Sequence, residues 1–118
     1  MENRKIRISD NGTVTIPGET KMSISEIADL FDIYYQTTKK LIRDFEKSGV
    51  AGGDYSSSCT VEREKIYPDY YGLEMVIAVA FRVQSANAEV MRRWLFRKIS
   101  KVGITEMLIL PLQNSMLN

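Results

Sequence analysis

An α+β fold built on a winged-helix-like helix-turn-helix, with short antiparallel hairpins and two further C-terminal helices, is the architecture that this sequence predicts. Three observations carry it. Ile24, Ile27, Ala28 and Phe31 recur at helical spacing, as do Thr38, Leu41, Ile42 and Phe45, with only Asp32, Ile33 and Tyr34 as a turn between the helices. β-Branched residues alternate on either side of Asp10-Asn11-Gly12, and a second pair of strand-like runs follows a Gly- and Ser-marked loop. Beyond these lie two more helical stretches, the first apolar nearly all round.

Each element has a local reason. Ile6–Ile8 and Thr13–Ile16 flank the Asn-Gly turn, and Pro17-Gly18 ends the second strand. Ser23 or Ser25 can cap the first helix, and Glu26, three after Ser23, completes a capping-box pattern. Ala28 supplies the small residue where two helices cross, and Ile27, Phe31 and Ile33 are the apolar residues flanking the turn. Asp32 stands where glycine is common in such turns, and Thr38 takes a buried position more often held by Val or Ile. The second helix runs from about Tyr35 to Lys47 and stops at Ser48-Gly49. Gly49 to Ser58 reads as a loop. Cys59–Arg63 and Lys65–Tyr67, followed by Pro68, read as the hairpin that would form a wing. Leu73, Val76, Ile77, Ala80 and Val83 mark a well-buried third helix. Ser85 caps a fourth from Ala86 to about Lys101, with Ala88, Met91, Leu95 and Ile99 facing inward, Trp94 beside them, and Gly103 ending it. Tyr67, Tyr70 and Tyr71 are expected to pack on the helices, and Cys59 to be buried or half-buried. Residues 1–118 then form one domain: a hairpin over 1–20, the helix-turn-helix over 22–49, the wing over 58–71, a helical pair over 73–101 and a C-terminal segment over 102–118.

Composition narrows the function. The 118 residues are 44% hydrophobic and 26% charged, close to the globular average. No run of about 18 apolar residues occurs to span a membrane. Met1 to Asp10 is polar and charged, unlike a signal peptide, so a soluble cytoplasmic protein is expected. With no histidine, imidazole bases, His-based triads and His-ligated metals are excluded. A single cysteine excludes an internal disulfide and multi-Cys metal sites. With no Gly-rich phosphate loop either, the expectation is a protein that is not an enzyme and holds no metal or cofactor.

The net charge of +1 is a cancellation. Asp54, Glu62, Glu64, Asp69 and Glu74 outnumber Arg63 and Lys65 over residues 54–81. Residues 82–101 carry Arg82, Arg92, Arg93, Arg97, Lys98 and Lys101 against the single acid Glu89. Local patches of this kind set the field that a polyanion meets. On the second helix, Gln36, Thr37, Lys39, Lys40 and Arg43 point away from the Leu41/Phe45 face. Gln and Arg suit base edges, Lys and Thr suit phosphates, and Tyr34 and Tyr35 lie where sugar-phosphate would pass. Arg92, Arg93 and Arg97 are expected to hold the DNA backbone. Lys40–Asp44 is a favourable i, i+4 pair, whereas Lys39 and Arg43 are like charges four apart. The acidic hairpin would be a poor phosphate-binding wing.

The run Tyr71-Gly-Leu-Glu-Met-Val-Ile-Ala-Val-Ala-Phe-Arg-Val-Gln-Ser85, followed by Ala88, Met91-Arg92 and Trp94, resembles the RhuM family of virulence proteins. The block Ser25-Glu-Ile-Ala-Asp-Leu-Phe31, with Ile42-Arg43 and Gly49, is similar to that family's helix-turn-helix in position and spacing. The resemblance spans roughly residues 13–101. The second half of the chain is also similar to the Bro-N DNA-binding domain of phage and baculovirus antirepressor-type proteins. Met91 stands in place of an aromatic residue, Gly72 in place of a polar one and Ala80 in place of glycine, changes that touch packing. Arg82, Ser85, Arg92 and Trp94 are the signature positions, with Arg82 expected to pair with Glu74 or Glu89 or to meet helix C-terminal carbonyls. Larger family members are longer, so the chain looks like a short or truncated version that keeps the DNA-binding half. The resemblance implies a transcriptional regulator encoded by a phage or mobile element. Double-stranded DNA is the expected partner, and homodimerisation through the apolar C-terminal segment is expected as well. The competing expectation is a protein-interaction module, an antirepressor or adaptor, that uses the same scaffold with a regulatory protein as partner.

Overall fold

Ser23 sets the start of the first helix. Its hydroxyl accepts from the Glu26 N–H, and the Glu26 carboxylate returns a bond to the Ser23 N–H, closing the capping box. In this computed structural model, which describes residues 3–102, the chain is an α+β protein with four helices and two small antiparallel hairpins among those residues. Strands β1 (Arg7–Ile8) and β2 (Val14–Thr15) pair across a turn in which the Gly12 N–H bonds the Ser9 carbonyl at 3.0 Å. Gly12 sits at φ 86°, a conformation that glycine reaches without steric cost. Ile6 and Val14 drop from this hairpin into the core.

Helices α1 (Ile24–Phe31) and α2 (Tyr35–Ser48) are joined through Asp32, Ile33 and Tyr34. Asp32 takes the left-handed conformation at φ 54°, so aspartate fills the position expected to favour glycine. Ile24, Ile27, Ala28 and Phe31 are buried against Thr38, Ile42 and Phe45. Thr38 is tolerated at 0% exposure because its hydroxyl donates to the Tyr34 carbonyl at 2.8 Å, leaving no orphaned polar atom. Gly49, at φ 80°, ends α2.

Strands β3 (Cys59–Glu62) and β4 (Lys65–Pro68) form the second hairpin, with Val61 opposite Ile66 and Glu62 opposite Lys65. Arg63 and Glu64 make the turn, both with positive φ (51° and 66°), the pattern of a type I′ turn. The hairpin is anchored where Tyr71 pairs with both Met22 and Gly53. A Cβ on Gly53 would lie 2.3 Å from Pro68 Cγ and 2.8 Å from Tyr71 Cε1, so only glycine fits this approach. Cys59 is exposed, contrary to expectation, since β3 turns it to the same outward face as Val61.

Helix α3 (Leu73–Ala80) buries Met75, Val76, Val79 and Ala80 completely, as its all-round apolar sequence requires. Helix α4 (Ala86–Val102) starts at Ser85, whose hydroxyl accepts the Ala88 N–H at 3.1 Å. Ala88 and Met91 are fully buried, but every side chain from Phe96 to Lys101 is exposed. Ile99 is therefore not on an inner face, because α4 outruns the core that covers its first half. One hydrophobic cluster joins both sides of the molecule, from Ile6 and Val14 through α1, α2 and α3 to Met91. No helix among the described residues is long and apolar enough to cross a membrane. The C-terminal segment expected to dock or dimerise lies, from residue 103 onward, outside the described residues.

Candidate functional site

The first turns of α2 carry the largest set of exposed polar and aromatic side chains predicted to act together. Tyr34, Tyr35, Gln36, Thr37 and Lys40 are all exposed. Lys40 makes the anticipated i, i+4 pair with Asp44 at 3.2 Å, with both partners largely in solvent. Pairs of this kind contribute only ~0.3–0.5 kcal/mol, so Lys40 is readily recruited by a stronger anion.

Lys39 and Arg43, assigned to the same face, are placed differently. Both sit half-buried beneath the second hairpin. Lys39 Nζ lies 3.0 Å from Glu62 Oε2, and Arg43 Nη1 lies 3.5 Å from Glu62 Oε1. The Arg43 guanidinium also stacks on the Tyr67 ring, 3.4 Å from its centroid. One carboxylate thus neutralises two cations four residues apart, which removes the repulsion their spacing implies. The hydrogen bond from Lys39, reinforced by the nearby charges, holds the Glu62 carboxyl below its ordinary pKa. A cleft of about 340 Å³ between the start of α1, α2 and the hairpin is lined by Ser25, Tyr35, Lys39, Arg43, Glu62 and Tyr67, among others.

Further along α2, Glu46 accepts from the Tyr71 hydroxyl at 3.2 Å and from the Tyr55 hydroxyl at 3.1 Å. Burial, with the Glu46 charge adding to it, pushes the Tyr71 phenol well above its ordinary value. Tyr55 is raised as well, by burial and then by its hydrogen bond to Glu46. These contacts fasten the loop and hairpin to α2 and hold its orientation.

The hairpin itself is inverted. Its face toward α2 bears Glu62 and Tyr67, while the Val61–Ile66 pair faces outward at 69% and 60% exposure. Strand alternation makes this arrangement visible in retrospect, since Thr60, Glu62 and Tyr67 fall on one face. That this polar face packs on α2 has no counterpart in the sequence pattern, and Glu62, Tyr67, Glu46 and Tyr55 were not among the predicted site residues.

On α4 the predicted cations divide. Arg92 does not reach outward: its Nη1 donates to the Ala80 carbonyl at 2.6 Å and to the Val83 carbonyl at 3.0 Å. Arg92, rather than Arg82, meets the last carbonyl of α3, at Ala80, and the Val83 carbonyl beyond it, and Arg82 is exposed. The reason is reach: α4 crosses the end of α3, and its residue 92 faces that terminus. Arg93 pairs with Glu89 at 2.9 Å on the surface, Arg97 is exposed, and Lys98 lies 5.6 Å from the Trp94 ring centroid. Among the described residues, no hydrogen bond, ion pair or ring contact joins an α2 side chain to an α4 side chain. No three His, Cys, Asp or Glu side chains among the described residues are grouped to hold a metal ion.

No family model, curated protein or solved structure matches this chain.

Proposed function

We propose that this chain binds double-stranded DNA, with α1 and α2 acting as a helix-turn-helix, β3–β4 as its wing and α2 as the recognition helix. The observation that carries the reading is the exposed side of the N-terminal half of α2, where Tyr35, Gln36, Thr37 and Lys40 lie in solvent just beyond the turn at left-handed Asp32. Recognition helices contact base edges from this end, and the chemistry suits the task. Gln36 can bond an adenine edge in bidentate fashion, Thr37 and Lys40 reach phosphates, and Tyr35 passes along the sugar-phosphate. Arg93 and Arg97 supply a second set of backbone contacts, whereas Arg92 is engaged inside the fold. With the resemblance to RhuM proteins, the role is that of a transcriptional regulator of phage or mobile-element type, acting as a homodimer on two half-sites.

Selection from random duplexes, followed by a salt titration of the winning sequence, tests the reading. A recovered motif is expected, with affinity falling steeply as salt rises. Gln36→Ala should relax one base position by ~1–3 kcal/mol, and Lys40→Glu should weaken all sequences alike. Undetectable duplex binding at low salt would overturn it. A second reading is favoured by the outward Val61–Ile66 pair: a protein-interaction module that docks a regulatory partner on the hairpin. Retained partner binding in a Lys40→Glu variant, with no duplex binding by the unaltered chain, would select it.

A further inference from the structure

We propose that Glu62 is an internal stand-in for a nucleic-acid phosphate, occupying the anion position between Lys39 and Arg43 and thereby weakening duplex binding on the wing side of α2. This rests on the DNA-binding reading above.

An ammonium and a guanidinium converging on a pair of oxygens is the donor set that holds a phosphate as well as a carboxylate. Lys39 and Arg43 supply those donors from successive turns of α2, the helix that also carries Gln36 and Lys40. Within the cluster the acid is the most accessible member. Glu62 is 44% exposed, against 24% for Lys39 and 21% for Arg43, so an approaching polyanion meets the carboxylate before either cation. Arg43 needs no reordering once Glu62 leaves, because the Tyr67 ring keeps the guanidinium in place. Its Nε is buried with no hydrogen-bond partner, so Glu62 leaves the guanidinium incompletely satisfied. Glu62 is also the last residue of β3, and its side chain is open enough to solvent to turn away by rotation about its own bonds while the hairpin stays in place. A carboxylate in this place explains how an acidic wing and a DNA-facing helix coexist: the acid sets a threshold that only a closely fitted phosphate passes. Weak, poorly registered contacts do not displace it, so the device favours the specific duplex over random sequence.

The test compares the unaltered chain with Glu62→Gln and with Lys39→Gln/Glu62→Gln, using a labelled duplex and fluorescence anisotropy over a salt series. Glu62→Gln should bind a random-sequence duplex roughly 3–10-fold more tightly at low salt, with a salt slope steeper by about 1–2 as Lys39 and Arg43 become free for phosphates. Removing Lys39 as well should return about half of that added slope. A readout without substitution is the ¹³C carboxyl resonance of Glu62, which should move when duplex is added to the unaltered chain. Equal or weaker binding by Glu62→Gln at unchanged slope, or a Glu62 resonance unmoved by bound duplex, overturns the proposal and leaves the DNA reading intact. If neither the unaltered chain nor Glu62→Gln binds duplex at low salt, the DNA reading falls and this inference falls with it.

Discussion

Arg92 is the residue whose role depends most on its surroundings. Helix ends leave up to four carbonyls without intrahelical partners, and neither α1 nor α3 carries a basic residue in its last turn. Arg92 answers this for α3 by donating to the Ala80 carbonyl, and also to the Val83 carbonyl just beyond the helix, and Asn87 Nδ2 donates to the Leu30 carbonyl at 2.8 Å, in the last turn of α1. Hydrogen bonds from a charged group contribute ~1.5–3 kcal/mol, and leaving part-buried carbonyls unmet adds to the loss. Arg92→Ala should therefore lower stability by about 2–3 kcal/mol, seen as a fall of roughly 10 °C or more in Tm. Arg97→Ala, at an exposed position, should change Tm little. Equal melting of the two variants would contradict the assignment of Arg92.

Among the elements, the two hairpins solve one geometric problem in opposite ways. The first places Gly12 at its left-handed position, where no Cβ opposes the turn. The second places Arg63 and Glu64 there, and each side chain in that region costs on the order of 1 kcal/mol. Replacing them with the pair that a type I′ turn prefers, Arg63→Asn with Glu64→Gly, should stabilise the chain by about 1 kcal/mol in urea unfolding. A loss of stability would show that Arg63 or Glu64 contributes contacts that outweigh the strain. Because Glu62 adjoins this turn, the same double variant also reports whether hairpin geometry sets the hold on Lys39 and Arg43.

For the whole molecule, Tyr71 is the junction. Its backbone pairs with Met22 and Gly53, its ring is buried, and its hydroxyl reaches Glu46 on α2. Burial and the Glu46 charge disfavour the phenolate, so the folded chain keeps this proton at a pH where an unfolded tyrosine has lost it. The sign follows: the folded state binds more protons above pH ~10, the unperturbed tyrosine value, so stability is full below that pH and falls as pH rises beyond it. Tyr71→Phe should flatten this alkaline decline in urea titrations, at some cost in stability near neutrality from the lost bond to Glu46. An unchanged alkaline slope would place the pH dependence elsewhere.

What the sequence determined by itself was the set of elements and their local chemistry. The capping box at Ser23, the helix pair around Asp32, the caps at Ser85 and Gly49, and the burial of the third helix all follow from interactions within a few residues. Short-range patterns report such interactions directly. The exposed face of Tyr35, Gln36, Thr37 and Lys40 was legible for the same reason, as one side of an amphipathic helix. Tertiary structure alone decided which charges remain available. Lys39 and Arg43 are met by Glu62 across 23 and 19 residues, and Arg92 by Ala80 and Val83 across a helix crossing. Exposed Cys59 and Ile99 likewise depend on where neighbouring elements end. A charged side chain in sequence is only a potential contact; packing brings in the partner that engages it or leaves it free. Of the charges that sum to +1, Glu62 is engaged by Lys39 and Arg43 of α2, and Arg92 is turned inward onto backbone carbonyls at the end of α3.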